Sequence, residues 1–386
     1  MPTIAHPSAL AVLLLSSTLG VMAGAIVTPI LELLRTDLGL TGTQAGLILA
    51  VHGLAIAITG PVAGMMIDRW GPRVPLAIGL VIYGLAGGAG VFLSTFPALI
   101  VSRLIFGMGA AIVFTGTTTA ILTIWQGAFR NRVMGWRTTA TSAGGVVFPI
   151  LAGLIGSFSS WHFAFAIYLF GIPLAIAVLR ILPDRIIERG GTSESTLVLL
   201  RKPALLGVYV LFLMMAVLIY AIAVFLPQRL AEIDITSPII ASLYMALMAG
   251  MMSVAGLGYA RARQHLSKLA LLRFSACCWV AAYALFGLTG DPVILVVATM
   301  LLGFGNGVAF ATLSLMVADL VPDRLLGRGT SLSATLFFLG QFLAPIVLGP
   351  MMQATSITTG YLIVAAASAL ILATLCLVRP APVAVP

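Results

Sequence analysis

Two residues able to carry charge interrupt or sit within long apolar stretches of this chain. Arg103 stands between the uncharged runs Val74–Ser102 and Leu104–Phe129, and His52 lies within Gly39–Ile67. A guanidinium in apolar surroundings must face protein, a carboxylate or water, or else snorkel to a polar boundary. Arg103 is about two turns from the start of its stretch, so both readings stay open. Imidazole titrates near pH ~6.5, which gives His52 the chemistry to take up and release a proton; a neutral packing histidine is the alternative. Carboxylates are placed differently. The eleven acids fall at the ends of apolar stretches or beyond them: Glu32, Asp37, Glu232, Asp234 and Asp291 in one set of breaks, Asp68, Asp184, Glu188, Glu194, Asp319 and Asp323 in the other. None stands in the middle of a stretch, which leaves Glu32 and Asp319 as reserve proton carriers behind His52.

Catalytic chemistry has no comparable footing. The sequence contains no nucleotide-binding loop and no nucleophile–base pair of known spacing, so neither an enzyme nor ATP as a driver is expected. Cys277 and Cys278 are neighbours and Cys376 is distant, which makes neither a disulfide framework nor a metal site. No cofactor is expected.

The elements that hold these residues follow from composition. Of 386 residues 61% are hydrophobic and 8% charged, with a mean hydropathy of +1.15, so the bulk of the chain must lie in lipid. Crossing the hydrocarbon takes ~20 apolar residues, and the longest runs hold two spans each. Cuts at turn signals such as Ser157–His162 and Ser356–Thr359 give twelve spans, near 9–31, 43–66, 74–94, 97–124, 132–156, 161–182, 203–227, 238–259, 268–288, 293–318, 329–353 and 358–378. The runs are continuously apolar rather than alternating, which excludes a strand barrel. The first run is too long for a cleaved signal peptide and follows no Lys or Arg, so it is read as a span.

Basic residues orient the spans. Seventeen of the 20 Lys and Arg fall in the even-numbered turns and the tail, counting Arg130, Arg132 and Arg137 as one turn, against Arg35 and Arg229 on the other side. The positive-inside rule then puts both termini in the cytoplasm, and a bacterial cytoplasmic (inner) membrane is the expected location. The net charge of +9 reads as topology and attraction to a lipid surface, with no case for nucleic acid.

The segment Gly107–Gly153 recurs without a gap 196 positions later as Gly303–Gly349, keeping the pairs Gly107/Gly303, Phe114/Phe310, Arg132/Arg328, Pro149/Pro345 and Gly153/Gly349. Two copies of one unit suggest two domains facing each other across a path. The expected division is an N-terminal six-helix bundle at 1–182, a cytoplasmic linker at 183–202, a C-terminal bundle at 203–379 and a disordered tail at 380–386.

Three motifs carry a resemblance. The turn GMMIDRWGPRV is similar to the signature loop of the major facilitator superfamily, through Gly64, Asp68, Arg69, Gly71 and Arg73, with Pro72 where that family usually has a basic residue. Its physics stands without the name: Gly64 allows close helix approach, Asp68 can cap or pair at a helix end, and Gly71 permits a tight turn. ALIVSRLIFGMGAA resembles the family's fourth-helix motif, whose arginine, here Arg103, is tied to proton-coupled transport. GGVVFPILAG, with Gly145, Pro149 and Gly153, resembles the fifth-helix motif of drug:proton antiporters, departing from it at Phe148 and Ala152.

The resemblance implies an all-α membrane protein, twelve transmembrane helices in two pseudo-symmetric six-helix bundles. In that fold the first, fourth, seventh and tenth helices line a central path, with the second, fifth, eighth and eleventh beside them. Thr28, Thr115, Thr118, Tyr220, Asn306 and Gln341 are the substrate-binding candidates there. Asn306 and Gln341 stand out because the first copy has Ala110 and Gly145 at their places; interhelical hydrogen bonding is the alternative. The function implied is secondary active transport of a small organic solute by alternating access, as proton-coupled efflux. The loop around Asp68 is expected to hold the outward-facing state closed on the inside. Its partners would be a small-molecule substrate, protons and membrane lipid, with the chain acting as a monomer. An importer in the same fold and a non-transporting sensor compete with this reading. Ion coupling is expected in the first half, since Arg103 and His52 face Thr299 and Met248 across the repeat, and substrate selectivity in the second.

Overall fold

The computed structural model describes residues 7–183, 201–322 and 325–378; most of the expected linker 183–202 and the whole tail 380–386 lie outside the described residues. Among the described residues the regular structure is entirely helical. Eleven helices are long and apolar enough to cross a membrane, and a bent pair at the start makes a twelfth. In chain order α1 joins Pro7–Ala25 to Val27–Asp37, α2 is Gly42–Trp70, α3 Arg73–Gly88 with a short turn Ala89–Val91, α4 Phe96–Ile124, α5 Gly127–Phe158 and α6 Trp161–Ile181. The second half holds α7 Pro203–Ala231, α8 Pro238–His265, α9 Lys268–Leu288, α10 Pro292–Leu320, α11 Leu326–Ala354 and α12 Ile357–Leu377.

Local signals set the helix starts. Thr41 and Gln44 form a capping box on α2, with reciprocal bonds of 3.2 and 2.9 Å. Asp291 caps α10 by accepting from Val293 N at 2.8 Å, and Ser356 caps α12 by accepting from Thr359 N at 3.0 Å. Gly71 ends α2 with φ at 72°, a conformation a side chain resists. Several helices overrun their expected spans: α2 reaches Trp70, α7 Ala231 and α8 His265, and α5 starts at Gly127 rather than 132. Span length measures apolar thickness, whereas the helices continue through polar residues at the membrane boundary. The first span, expected near 9–31, runs from Pro7 to Asp37 and is bent. Segments Pro7–Gly20 and Met22–Asp37 meet at 52°, and carbonyls around the break accept from buried tyrosines, Tyr83 Oη to Leu19 O at 2.8 Å and Tyr168 Oη to Ala23 O at 2.9 Å.

The sequence repeat is also a spatial one. A Cβ on Gly107 of α4 would press on the His52 carbonyl and on Ala55 of α2; a Cβ on Gly303 of α10 would press on the Met248 carbonyl and on Met251 of α8. Each of these neighbours is displaced by the same 196 positions. Between the halves, α2 packs on α11 and α5 on α8, again at glycines. A Cβ on Gly46 would lie 2.6 Å from Pro345 Cβ, on Gly53 2.7 Å from Phe338 O, and on Gly153 2.6 Å from Ser242 Oγ. Hydrogen bonds from Gln353 Nε2 to Thr43 Oγ1 (3.1 Å) and from Ile239 N to Ser157 Oγ (3.3 Å) cross the halves at the same end. Toward the arginine-rich face these helices part: a Cβ at Gly60 or Gly64 on α2, Gly135 on α5, or Gly250, Gly256 or Gly258 on α8 would meet nothing within 4 Å. The molecule is closed at one face and open at the arginine-rich one.

This closure predicts a cross-link. Thr43→Cys with Gln353→Cys, in a chain whose native cysteines are replaced by alanine, is expected to join the halves, seen as fragments that stay together on a denaturing gel after cleavage between α6 and α7. Adding Gly53→Leu drives a side chain into the Phe338 carbonyl at a cost of about 1–3 kcal/mol, and the cross-linked fraction should fall several-fold.

Candidate functional site

Aromatic rings line the space between the parted halves. Phe114 of α4, Phe338 and Phe337 of α11, Phe310 of α10 and Phe212 of α7 make a continuous edge-to-face chain with centroid spacings of 6.4, 5.9, 6.1 and 5.9 Å. Phe114 is 42% and Phe310 46% exposed although each touches neighbours from the inter-helix side, so they border the open path. A wall of aromatic faces and edges suits an apolar or aromatic solute. Phe114 and Phe310 are a repeat pair, which was the sequence signal for this wall.

A cation joins it. Arg137 lies inside α5, not in the turn before it as the basic-residue count assumed, and its guanidinium stands 5.3 Å over the Phe114 ring. No proline separates Gly127 from Arg137, so the helix runs on through Gly135, and a count by proximity to Arg130 and Arg132 misplaces it. Nε of Arg137 is buried without a partner, and its guanidinium donates to no group among the described residues.

Arg103 is sealed instead. It is 1% exposed, which removes the snorkelling alternative, and Nη2 donates to Gly87 O at 2.8 Å. The guanidinium lies 4.5, 4.9 and 4.8 Å from the ring centroids of Phe106, Phe165 and Tyr168, so π faces stand where a carboxylate was one expected option. His52 is 2% exposed, its ring 6.0 Å from that of Phe106, and its Nδ1 meets no hydrogen-bonding partner of good geometry among the described residues. Arg103 and His52 thus share one ring.

The family model described as Major Facilitator Superfamily matches residues 13–345, and again 265–386. The chain belongs to the major facilitator superfamily. Multidrug resistance protein 1 of Bacillus subtilis (strain 168) is 28% identical over 174 residues, 44% of this chain and 45% of that protein. Quinolone resistance protein NorA of Staphylococcus aureus (strain Mu50 / ATCC 700699) is 27% identical over 158 residues, 40% of this chain and 41% of that one. The chain therefore spans about half the length of the curated relatives it matches. Among solved structures, a mutant of the nucleoside transporter NupG superposes with a TM-score of 0.81 at 17% identity, covering 96% of this chain and 99% of that one. The xylose transporter XylE from E. coli, in an inward open conformation, gives 0.79 at 14% identity, covering 97% and 96%. At such identities the fold is what is shared.

As a major facilitator the chain has its signature loop at the open face. Asp68 and Arg69 are exposed, a Cβ on Gly64 would meet nothing, and among the described residues Asp68 makes no ion pair. Arg73 donates to the Leu179 carbonyl of α6. Of the fifth-helix motif, Gly153 makes the tight contact with α8, Gly145 lies 3.4 Å from Ala249 by the same measure, and Pro149 is buried. Glu32 is held by Arg35 in a bidentate pair at 2.5 and 2.8 Å, and Asp319 pairs with Lys268.

The substrate candidates do not form one cluster. Thr28 donates to Gly24 O at 3.1 Å, and a Cβ on Gly24 would lie 3.0 Å from Tyr220 Oη, so those two meet at the α1 break. Thr115 and Thr118 are half-buried on α4 beside Phe114, with Thr118 Oγ1 donating to Phe114 O at 2.8 Å. Gln341 is 7% exposed near Gly53, and its Oε1 has no partner. Asn306 turns to α9, where Oδ1 accepts from Trp279 Nε1 at 2.9 Å. Arg229, counted only for topology, is buried and donates to Phe286 O (3.2 Å), Thr289 O (2.8 Å) and Glu232 (3.0 Å).

The aromatic cage makes Phe106 the costly position here. Thermal unfolding of purified protein is expected to show Phe106→Ala destabilised by about 3–5 kcal/mol. Arg103→Met, which removes a buried charge and keeps an apolar stem, should be neutral or stabilising by about 1–4 kcal/mol.

Proposed function

We propose that the chain is a proton-coupled exporter of a small apolar organic solute, working by alternating access of its two halves. The observation that carries this reading is the aromatic path, open at one face and shut by backbone contacts at glycines at the other. The positive-inside rule assigns the open face to the cytoplasm, with both termini on that side of a bacterial inner membrane. The state described here then loads from the cytoplasm, as the inward open conformation of the resembling xylose transporter also suggests. Two relatives bear the names of a multidrug and a quinolone resistance protein, which supports outward movement of foreign compounds.

Residues 1–182 and 203–379 act as two bundles tethered by 183–202, in a chain that works as a monomer. Rocking separates α2 from α11 and α5 from α8, brings the arginine-rich ends together and exposes the path to the outside. Asp68, unpaired here, engages across that closing seam together with Arg69. Thr28, Thr115, Thr118, Tyr220 and Gln341 add polar contacts along the path, whereas Asn306 serves packing against Trp279. Proton coupling rests on the His52–Phe106–Arg103 group, because the described acids lie at helix ends and Glu32 and Asp319 are paired.

The test is flux in proteoliposomes of known orientation with an imposed proton gradient. Gradient-driven movement of an aromatic solute from the arginine-rich side to the other is expected; movement only in the opposite direction identifies an importer, and no flux refutes transport. Asp68→Asn should lower flux about tenfold with normal membrane insertion, the weight of one charge-assisted contact in a single conformational state. His52→Ala should remove the response to the gradient; unchanged flux and pH dependence would exclude His52 as the proton carrier.

A further inference from the structure

We infer that the solute is an organic anion, an aromatic carboxylate or sulfonate whose charge pairs with Arg137 while its ring packs beside Phe114 and Phe338. This rests on the reading of the aromatic path as the substrate path. One charge beside this path is unbalanced. An arginine within a membrane helix is retained only with compensation from protein, water or a ligand. Other arginines inside or at the ends of these helices have theirs. Arg103 has the Gly87 carbonyl and three rings, and although its Nε and Nη1 have no hydrogen-bond partner among the described residues it is 1% exposed and shut away from any solute; Arg229 has two carbonyls and Glu232, and Arg35 has Glu32. Arg137 has one ring face, a buried Nε without a partner, and donor groups given to nothing among the described residues.

The repeat shows that the scaffold does not need it. The matching position, 196 residues on, is Ser333, whose hydroxyl is spent on its own helix, donating to Gly329 O at 3.0 Å. The ring beneath Arg137 is kept in both copies, as Phe114 and Phe310, but the cation is placed in one copy only. A shared wall with a single added charge is the pattern of a ligand contact rather than of packing.

The sign of the ligand follows. No Asp or Glu among the described residues lies part-way along a helix on this path, so a cationic solute would meet the positive charge of Arg137 with no carboxylate to offset it. A guanidinium instead offers a planar fork that matches a carboxylate with two parallel hydrogen bonds.

Purified full-length protein can be titrated calorimetrically with three probes of one shape: 2-naphthoate, neutral 2-naphthamide and cationic 2-naphthylmethylammonium. Naphthoate is expected to bind at least about tenfold more tightly than either analogue, the weight of a charge-assisted pair. Arg137→Gln should cost naphthoate about tenfold or more and leave naphthamide within about twofold, with Arg137→Lys intermediate. Equal or tighter binding of the amide or the ammonium, or no binding of naphthoate, overturns the inference, as does an Arg137→Gln variant that keeps full naphthoate affinity. If that variant cannot be purified, the ranking of the three probes on the native chain and on Arg137→Lys decides alone. The two readings fail separately: naphthamide or the ammonium carried under a proton gradient keeps export and removes the anion, whereas naphthoate bound tightly but never moved keeps the anion and removes export.

Discussion

Everything else in this molecule depends on how closely two backbones can approach where the hydrophobic effect no longer pulls helices together. Lipid tails are as apolar as leucine, so helices associate through packing and hydrogen bonds, and small residues at the contact decide how much packing is available. Gly46 and Gly53 let α2 meet α11, and Gly153 lets α5 meet α8, all nearer one face than the other. The same device works within each half, where Gly107 holds α4 on α2 and Gly303 holds α10 on α8. Contacts of this kind within a half make it a unit; those between halves, confined to one end, make a seam about which the units can pivot. The open path is the consequence of that uneven distribution.

Internal symmetry separates what builds this frame from what is added to it. Repeat partners such as Gly107/Gly303 and Gly153/Gly349 make equivalent contacts, the last pair against Ser242 of α8 and Thr43 of α2. Where the copies differ, the structure sorts the differences into two kinds. Asn306, in place of Ala110, gives its Oδ1 to Trp279, which itself replaces Tyr83 across the repeat, a side-chain pairing inside the second half that leaves only Asn306 Nδ2 without a partner among the described residues. Arg137 and Gln341, in place of Ser333 and Gly145, keep polar atoms that no described residue satisfies.

Sequence reasoning reached the helices and the repeat because each is written in composition or spacing, and it left Arg103 open between burial and snorkelling. A helix in lipid must satisfy its own backbone, so apolar length alone nearly fixes where it runs. It missed what depends on side-chain direction or on continuity through polar residues. Arg137 was counted with Arg130 and Arg132 because charge near a helix end reads as topology, and nothing local marks where α5 begins to be enclosed. The α1 break falls in a run of small apolar residues with no proline at the bend, and it becomes intelligible only beside the Tyr83 and Tyr168 hydroxyls, which donate to its carbonyls. The aromatic chain was hidden for a related reason: Phe114, Phe338 and Phe310 come from three helices, and only folding brings their rings together.

The two arginines of the first half show why burial and function need not coincide. Arg103 is the more buried, closed off by Phe106, Phe165 and Tyr168 and by a carbonyl, so that its unbonded Nε and Nη1 face ring surfaces inside the first half rather than a solute. Its influence on a solute must therefore be indirect, through the ring it shares with His52 and through the α1 break, which Tyr168 also touches. Arg137 is less buried, has a single ring face and no hydrogen-bond acceptor for its guanidinium among the described residues, and borders the path itself. A solute that pairs with Arg137 changes the charge of the first half at the level of Phe114, two helical turns along α4 from Phe106. One helix thereby carries both the ring that would meet the solute and the ring that meets the candidate proton carrier, which places the two events within reach of a single rigid element.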